Sequence, residues 1–214
     1  MDKGKLSDGI CVLASIILIA MSIISITRAQ RMSYEVNTGF FCAFFCLVPL
    51  ILRRLKWVTL PLPFVLLIEV SIFLHAYGVL LLRYDFIPYW DTVTHTISSI
   101  TVALCVFYTL MVVNEFDPDT RFKAKTIPLF IFLVMFTFSA YWEVFELMVD
   151  ELTGTNMQYS PWDTIRDLVC DTAGALIASI YAVNYMRKNS ENSFVDSLKL
   201  HPYVTKLILP FHKE

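Results

Sequence analysis

Residues 127–149 read IPLFIFLVMFTFSAYWEVFELMV. Up to Ala140 this stretch carries no charge, and its only charged residues are Glu143 and Glu146. Hydrocarbon offers the backbone no water, so a spanning segment must bond its own peptide groups, and a helix needs about 20 mainly apolar residues to cross. A soluble helix would confine its apolar residues to one stripe. The stretch therefore predicts a transmembrane helix.

Outward from it the pattern repeats. Apolar blocks predict spans at Gly9–Thr27, Thr38–Leu52, Val58–Leu82, Thr92–Val113, Ile127–Val149 and Asp163–Tyr185. The composition agrees, with 57% hydrophobic and only 17% charged residues among 214, and a mean hydropathy of +0.61. The first block is longer than a signal-peptide core and has no small-residue cleavage site before Arg28, so it reads as a retained helix. Pro61, Pro63 and Pro128 fall in first turns, where proline is tolerated. Asp163, after Pro161, is expected as an N-cap. The short connections predict antiparallel neighbours. The expected fold is all-α, a polytopic six-helix transmembrane bundle over residues 1–186, followed by a cytoplasmic tail over 187–214. The tail's apolar residues Phe194, Val195, Leu198, Leu200, Val204, Leu207, Ile208 and Leu209 suit either the inner membrane surface or a loosely ordered segment.

Orientation follows from the basic residues. Six spans put Lys3, Lys5, Arg53, Arg54, Lys56, Arg121, Lys123, Lys125, Arg187, Lys188, Lys199, Lys206 and Lys213 on one side, and Arg28, Arg31 and Arg83 on the other. That 13 to 3 bias predicts both termini in the cytoplasm. The expected location is the plasma (inner) membrane, with the lipid bilayer as the first partner. No basic block or finger spacing points to nucleic acid. The five cysteines all sit in apolar blocks, where they act as small hydrophobes, and no disulfide framework is expected.

Acidic residues inside a bilayer cost roughly 2.5–3.5 kcal/mol each on insertion scales, so they must be paired, hydrated or useful. Here they gather at the predicted outer ends of three spans. The fourth begins Trp90-Asp91-Thr92-Val93-Thr94-His95, with Asp91 and His95 four apart on one face. The fifth places Ser139, Glu143, Glu146 and Asp150 on one face, with Tyr141 and Trp142 suited to the interfacial aromatic belt. The sixth carries Asp163, Asp167 and Asp171 as a ladder of every fourth residue. Gly174 and Ala175 below it would let a neighbouring helix approach closely. His95, Glu143, Glu146, Asp167 and Asp171 are expected to converge on one cavity.

Carboxylates with one histidine in a helical bundle are a usual ligand set for a divalent metal ion. His95, Glu146, Asp171 and Asp91 are the candidate ligands, and Glu143 and Asp167 the candidate catalytic groups. Arg166, Asp163 and His75 are candidates for holding substrate. A structural reading stands beside each. Asp91, Asp150 and Asp163 at helix ends serve as caps or solvated groups, and Arg166 serves as counter-ion to Asp163 or Asp167. Glu69, six residues from His75 and so on a different face, pairs within the bundle or relays a proton.

Three pieces, Trp90-Asp91-x-x-x-His95, Glu143-x-x-Glu146 and Asp163-Thr164-x-x-Asp167-x-x-x-Asp171-x-x-Gly174, follow one another in order. In them the chain resembles the YjdF-type family of small bacterial and archaeal membrane proteins and, more distantly, VanZ-like proteins. VanZ-like proteins tend to carry an amide where Glu146 and Asp171 stand, so the closer likeness is to YjdF. The resemblance spans residues 60–185 and implies a polytopic envelope protein. VanZ-like proteins are linked to glycopeptide-antibiotic resistance, which implies work at the cell surface. The function expected is metal-dependent hydrolysis or group transfer on a phosphorylated lipid or envelope precursor. The alternatives are a proton- or cation-coupled transporter and a non-catalytic scaffold.

Overall fold

A computed structural model describes residues 3–29, 33–117, 120–188 and 191–208. Of the residues named above, Arg31, Leu209 and Lys213 lie outside these. The described residues form α1 (Lys3–Ala29), α2 (Tyr34–Cys46), α3 (Val48–Arg54), α4 (Leu62–Leu80), α5 (Arg83–Phe86), α6 (Trp90–Phe116), α7 (Ile127–Thr153), α8 (Pro161–Lys188), α9 (Glu191–Leu198) and α10 (Pro202–Ile208), with no strand among them. Six segments are long and apolar enough to span a membrane: Lys3–Thr27, Tyr34–Arg54, Leu62–Leu80, Trp90–Phe116, Ile127–Thr153 and Pro161–Lys188. The fold is the six-span helical bundle expected from the apolar blocks.

The helix ends differ from the sequence expectation for local reasons. The second span steps at Leu47 between α2 and α3, just before Pro49, which has no N–H to continue the ladder. The third starts four residues later than expected, because Pro61 caps α4 in an extended conformation. The fifth runs on to Thr153 and stops at Gly154, whose φ of +70° lets its N–H reach the Asp150 carbonyl at 2.8 Å. The sixth starts at Pro161. Its cap is Ser160 rather than Asp163, since the Asp163 N–H donates to Ser160 Oγ at 3.2 Å.

The spans pack as two trios, α1–α2–α4 and α6–α7–α8, joined along α4 and α6. A hydroxyl pair, Ser71 and Thr101 at 2.6 Å, sits in that joint. Leu18, Ala43, Cys46, Ala76 and Leu80 form the core of the first trio. Ala103, Phe107, Met111, Ile131, Ala178 and Ala182 belong to that of the second. α6 and α8 approach each other closely. A Cβ at Gly174 would collide with the Ser99 hydroxyl and stand 3.0 Å from the Thr96 carbonyl. In lipid, where burial of apolar surface does not drive helices together, such close backbone packing is what holds them. Large apolar side chains such as Leu13, Phe41, Leu133 and Ile180 point outward instead.

Contacts between connections define the two ends. At one, which we call the α9 end, Thr59 N–H donates to Leu198 O and His201 N–H to Trp57 O. Asn114 there clasps both backbone groups of Phe122 at 2.9 and 2.7 Å. Phe194, Val195 and Leu198 of α9 are buried against the second trio, so this part of the tail belongs to the packed core. At the opposite, α5 end, Tyr34 meets Met157, and the Tyr159 hydroxyl donates to Asp85 at 2.8 Å.

Candidate functional site

The first turns of α6 and α8 bring their polar faces together at the α5 end. His95 lies between two carboxylates: Nδ1 is 3.3 Å from Asp171 Oδ1, and Nε2 is 3.6 Å from Asp91 Oδ1. The Ser139 hydroxyl of α7 donates to the other Asp171 oxygen. An ionised carboxylate only accepts hydrogen bonds, so Nδ1 carries the proton toward Asp171 and Nε2 is turned to Asp91. One ligand atom each from Asp91, His95 and Asp167 lies within 4.8 Å of the other two. Asp167 is 1% exposed, and its Oδ1 makes no hydrogen bond.

The neighbouring acids fall into two kinds. Glu146 accepts from Trp142 Nε1 at 2.8 Å, Asp163 pairs with Arg166 at 3.1 Å, and Asp150 accepts from Thr155, Met157 N–H and Gln158 N–H at 2.7–2.9 Å. Asp150 is thus the clasp of the α7–α8 connection. Glu143 is different. It is 6% exposed, with the Thr164 hydroxyl and Gln158 beside it but no well-formed hydrogen bond to either oxygen. Asp163 is buried rather than solvated. Asp91, Glu143, Glu146, Asp163, Asp167 and Asp171 make six carboxylates at the α5 end, spread over about two turns of helix, with Arg166, His95 and His75 as the cationic or potentially cationic groups among them.

A cavity of about 810 Å³ opens between the two trios. Its inner wall is apolar, with Phe45, Ile68, Ile72, Val102, Met135 and Phe138, and its polar end carries His75, Asp91, His95, Glu146 and Asp171. Glu143 and Asp167 do not line it; they sit behind the wall, between helices. So of the five residues expected to converge on one cavity, three reach it and two do not. A shallower vestibule of about 440 Å³ continues outward and holds Asp163 and Arg166, with Tyr84, Asp85, Asp91 and Tyr159 shared by both spaces. A volume of several hundred cubic ångströms with a few polar groups at one end is typical of small-molecule sites.

Some participants were not legible in the sequence. Tyr84 of α5 joins His75 Nδ1 (2.9 Å) to Thr94 Oγ1 (3.3 Å), and Thr94 donates to the Asp91 carbonyl (2.8 Å). Trp142, read as an aromatic-belt residue, instead lines the cavity, packs edge-on against His75 at 6.2 Å and binds Glu146. Its spacing of four from Glu146 was the available signal. Tyr141 does point out, at 71% exposure.

Fold and site together define a polytopic helical membrane protein with a polar cluster inside its bundle. The chain belongs to the family described as "Predicted membrane protein (DUF2238)", whose profile matches residues 10–188. No curated protein and no solved structure matches it.

Proposed function

We propose that this protein holds a divalent metal ion at Asp91, His95 and Asp167 and acts, by hydrolysis or group transfer, on a lipid or envelope precursor at the outer leaflet of the plasma membrane. The observation that carries the reading is the trio of ligand groups within 4.8 Å of one another beside a cavity that is apolar at one end. Ligand atoms at about 2.0–2.2 Å from a small ion stand roughly 3–4 Å apart, so a modest closing of side chains brings the three into register. The donor set fits. His95 has Nδ1 committed to Asp171 and presents Nε2, the carboxylate–histidine arrangement that fixes the ring and raises its basicity. Asp167 has an unengaged oxygen in a site where an uncompensated charge is costly. Six carboxyl groups stand here against Arg166 and two histidines, an excess that a bound cation would balance.

When bound, the ion would supply Lewis-acid polarisation of a phosphoryl or carbonyl oxygen. The chain's own groups do the rest. Asp167, first read as catalytic, suits a ligand better, and Asp171, first read as a ligand, suits the orientation of His95. Glu146, on the cavity wall, is placed to exchange a proton with substrate, with Glu143 behind it. Arg166, half exposed in the vestibule, suits an anionic headgroup, and the apolar wall suits a hydrocarbon chain. The likeness to YjdF-type and VanZ-like proteins supports the envelope as the place of action, and the distribution of basic residues supports an outward-facing site.

The test is a thermal melt of purified protein with Mg²⁺, Mn²⁺, Ca²⁺ or Zn²⁺ and after chelation. One of these ions is expected to raise the melting temperature of the wild type and leave Asp167→Asn unmoved. Identical melts under every condition would end the metal reading.

One observation favours a second reading, a proton- or cation-coupled carrier. Glu69 of α4 is buried with both oxygens unengaged, facing the thiols of Cys11 and Cys46 rather than the cavity. A carrier would show gradient-driven uptake in proteoliposomes that Glu69→Gln abolishes.

A further inference from the structure

One polarity of the hydrogen-bond chain in the cavity wall satisfies all three of its contacts. Its last acceptor, the Asp91 main-chain carbonyl, has no proton, so the Thr94 hydroxyl must donate to it. Thr94 has then spent its proton, and the Tyr84 hydroxyl donates to Thr94. Burial pushes the Tyr84 phenol above its ordinary range, which keeps that proton in place. With Tyr84 committed, only its lone pair faces His75, and Nδ1–H of the imidazole donates to it. A neutral His75 is left with its lone pair on Nε2, which makes no hydrogen bond among the described residues. Edge contacts with Tyr84 (6.0 Å) and Trp142 (6.2 Å) hold the ring in the cavity wall.

We infer that His75 is a specificity-determining residue that selects amphiphiles bearing a hydrogen-bond donor on the headgroup, a hydroxyl or the P–OH of a phosphomonoester, and that Tyr84 is the positioning residue that sets its tautomer. The inference rests on the cavity being the substrate site of the preceding reading, and does not depend on the metal. The carboxyl groups beside His75, Glu146 and Asp91 among them, also offer acceptor oxygens, so the polar end of the cavity is rich in acceptors. A headgroup without donors leaves these groups unpaired, and a site built to hydrogen-bond a hydroxyl rejects the analogue lacking it far more strongly than it rejects a change in hydrocarbon length. The Arg166 vestibule accommodates an attached anion, and the apolar wall takes the chain.

The experiment uses the full chain in phosphatidylcholine nanodiscs, whose lipid headgroup has no donor. Diethyl pyrocarbonate acylates an unprotonated, accessible imidazole nitrogen, and peptide mass spectrometry reads each histidine. His75 is expected to react, and its labelling is read separately from that of His95, whose Nδ1 is committed to Asp171. Monododecyl phosphate and monolauroylglycerol, the two donor sources, are tested separately against methyl laurate, which has a similar chain and no donor. At least one protic amphiphile is expected to slow labelling of His75 by about tenfold, as ~90% occupancy requires, and methyl laurate to leave it unchanged. Tyr84→Phe, its helicity and melting checked by circular dichroism, is expected to lose that discrimination. An unreactive His75, equal protection by methyl laurate, or full discrimination in folded Tyr84→Phe would overturn the inference. Protic selectivity in a protein that binds no divalent ion would overturn the metal reading and leave this inference standing.

Discussion

Two buried acids at opposite ends of the bundle make an instructive pair. At the α9 end, Asp8 is held by Arg53 and Arg54, with Arg53 meeting both of its oxygens. At the α5 end, Asp167 is equally buried, stands among five other carboxylates, and keeps one oxygen unengaged. The charge of Asp8 is offset within the chain by two guanidinium groups, and that of Asp167 is not. A paired acid contributes to stability. An acid in surplus leaves a deficit that a proton or a bound cation must fill. The contrast separates a structural anchor from a candidate site more firmly than burial alone.

The largest effects should come from setting the two acids against each other. With an ion present at about 100 times its Kd, the wild type should gain roughly 2.7 kcal/mol of stability. Asp167→Asn should lose that gain and, without ions, melt no lower than the wild type. Asp8→Asn should do the reverse, losing about 1.5–3 kcal/mol with or without ions, because it breaks charge-assisted bonds. Both are read from melts in the same detergent. If Asp8→Asn alone altered the ion dependence, the distinction between the two ends would fail.

Asp171→Asn sharpens the comparison within the site. It keeps the size of the side chain and weakens the hold on His95 Nδ1. Ion affinity, measured by titration calorimetry, should fall about 10–100-fold, the usual effect of losing such a partner. A change below twofold would mean that Asp171 does not orient the ring.

The smallest effect is expected at Glu69. Its oxygens meet only weak thiol donors, so Glu69→Gln should change the melting temperature by less than about 0.5 kcal/mol equivalent and leave ion binding intact. A large loss of stability would show that Cys11 and Cys46 satisfy it better than their chemistry implies.

The six spans were legible because lipid imposes a length and a composition that no residue pattern can evade. The polar faces were legible too, since residues three and four apart share a face of any helix, whatever surrounds it. The Asp163–Arg166 pair and the proximity of Asp91 to His95 follow from that spacing. The division of labour among the acids did not follow. Glu143 and Glu146 share one face of α7, yet Glu146 reaches the cavity and Glu143 stays behind the wall. That split of about sixty degrees around the helix matters only once α6 and α8 have taken their places.

Sequence alone therefore established the membrane fold, the number of spans and the end at which the ionisable groups gather, because these depend on periodicity and on the cost of exposing peptide groups to hydrocarbon. The packing of the trios settled what spacing leaves open. It set Asp171 against His95 Nδ1, brought Tyr84 from the short α5 to His75, and left Asp167 Oδ1 and both Glu143 oxygens without a hydrogen bond. Those outcomes depend on which faces of different helices meet, and α6 and α8 meet closely because Gly174 leaves room for Ser99. Contacts between segments far apart in the chain carry no local signature, so the site's chemistry emerged only when the helices were assembled.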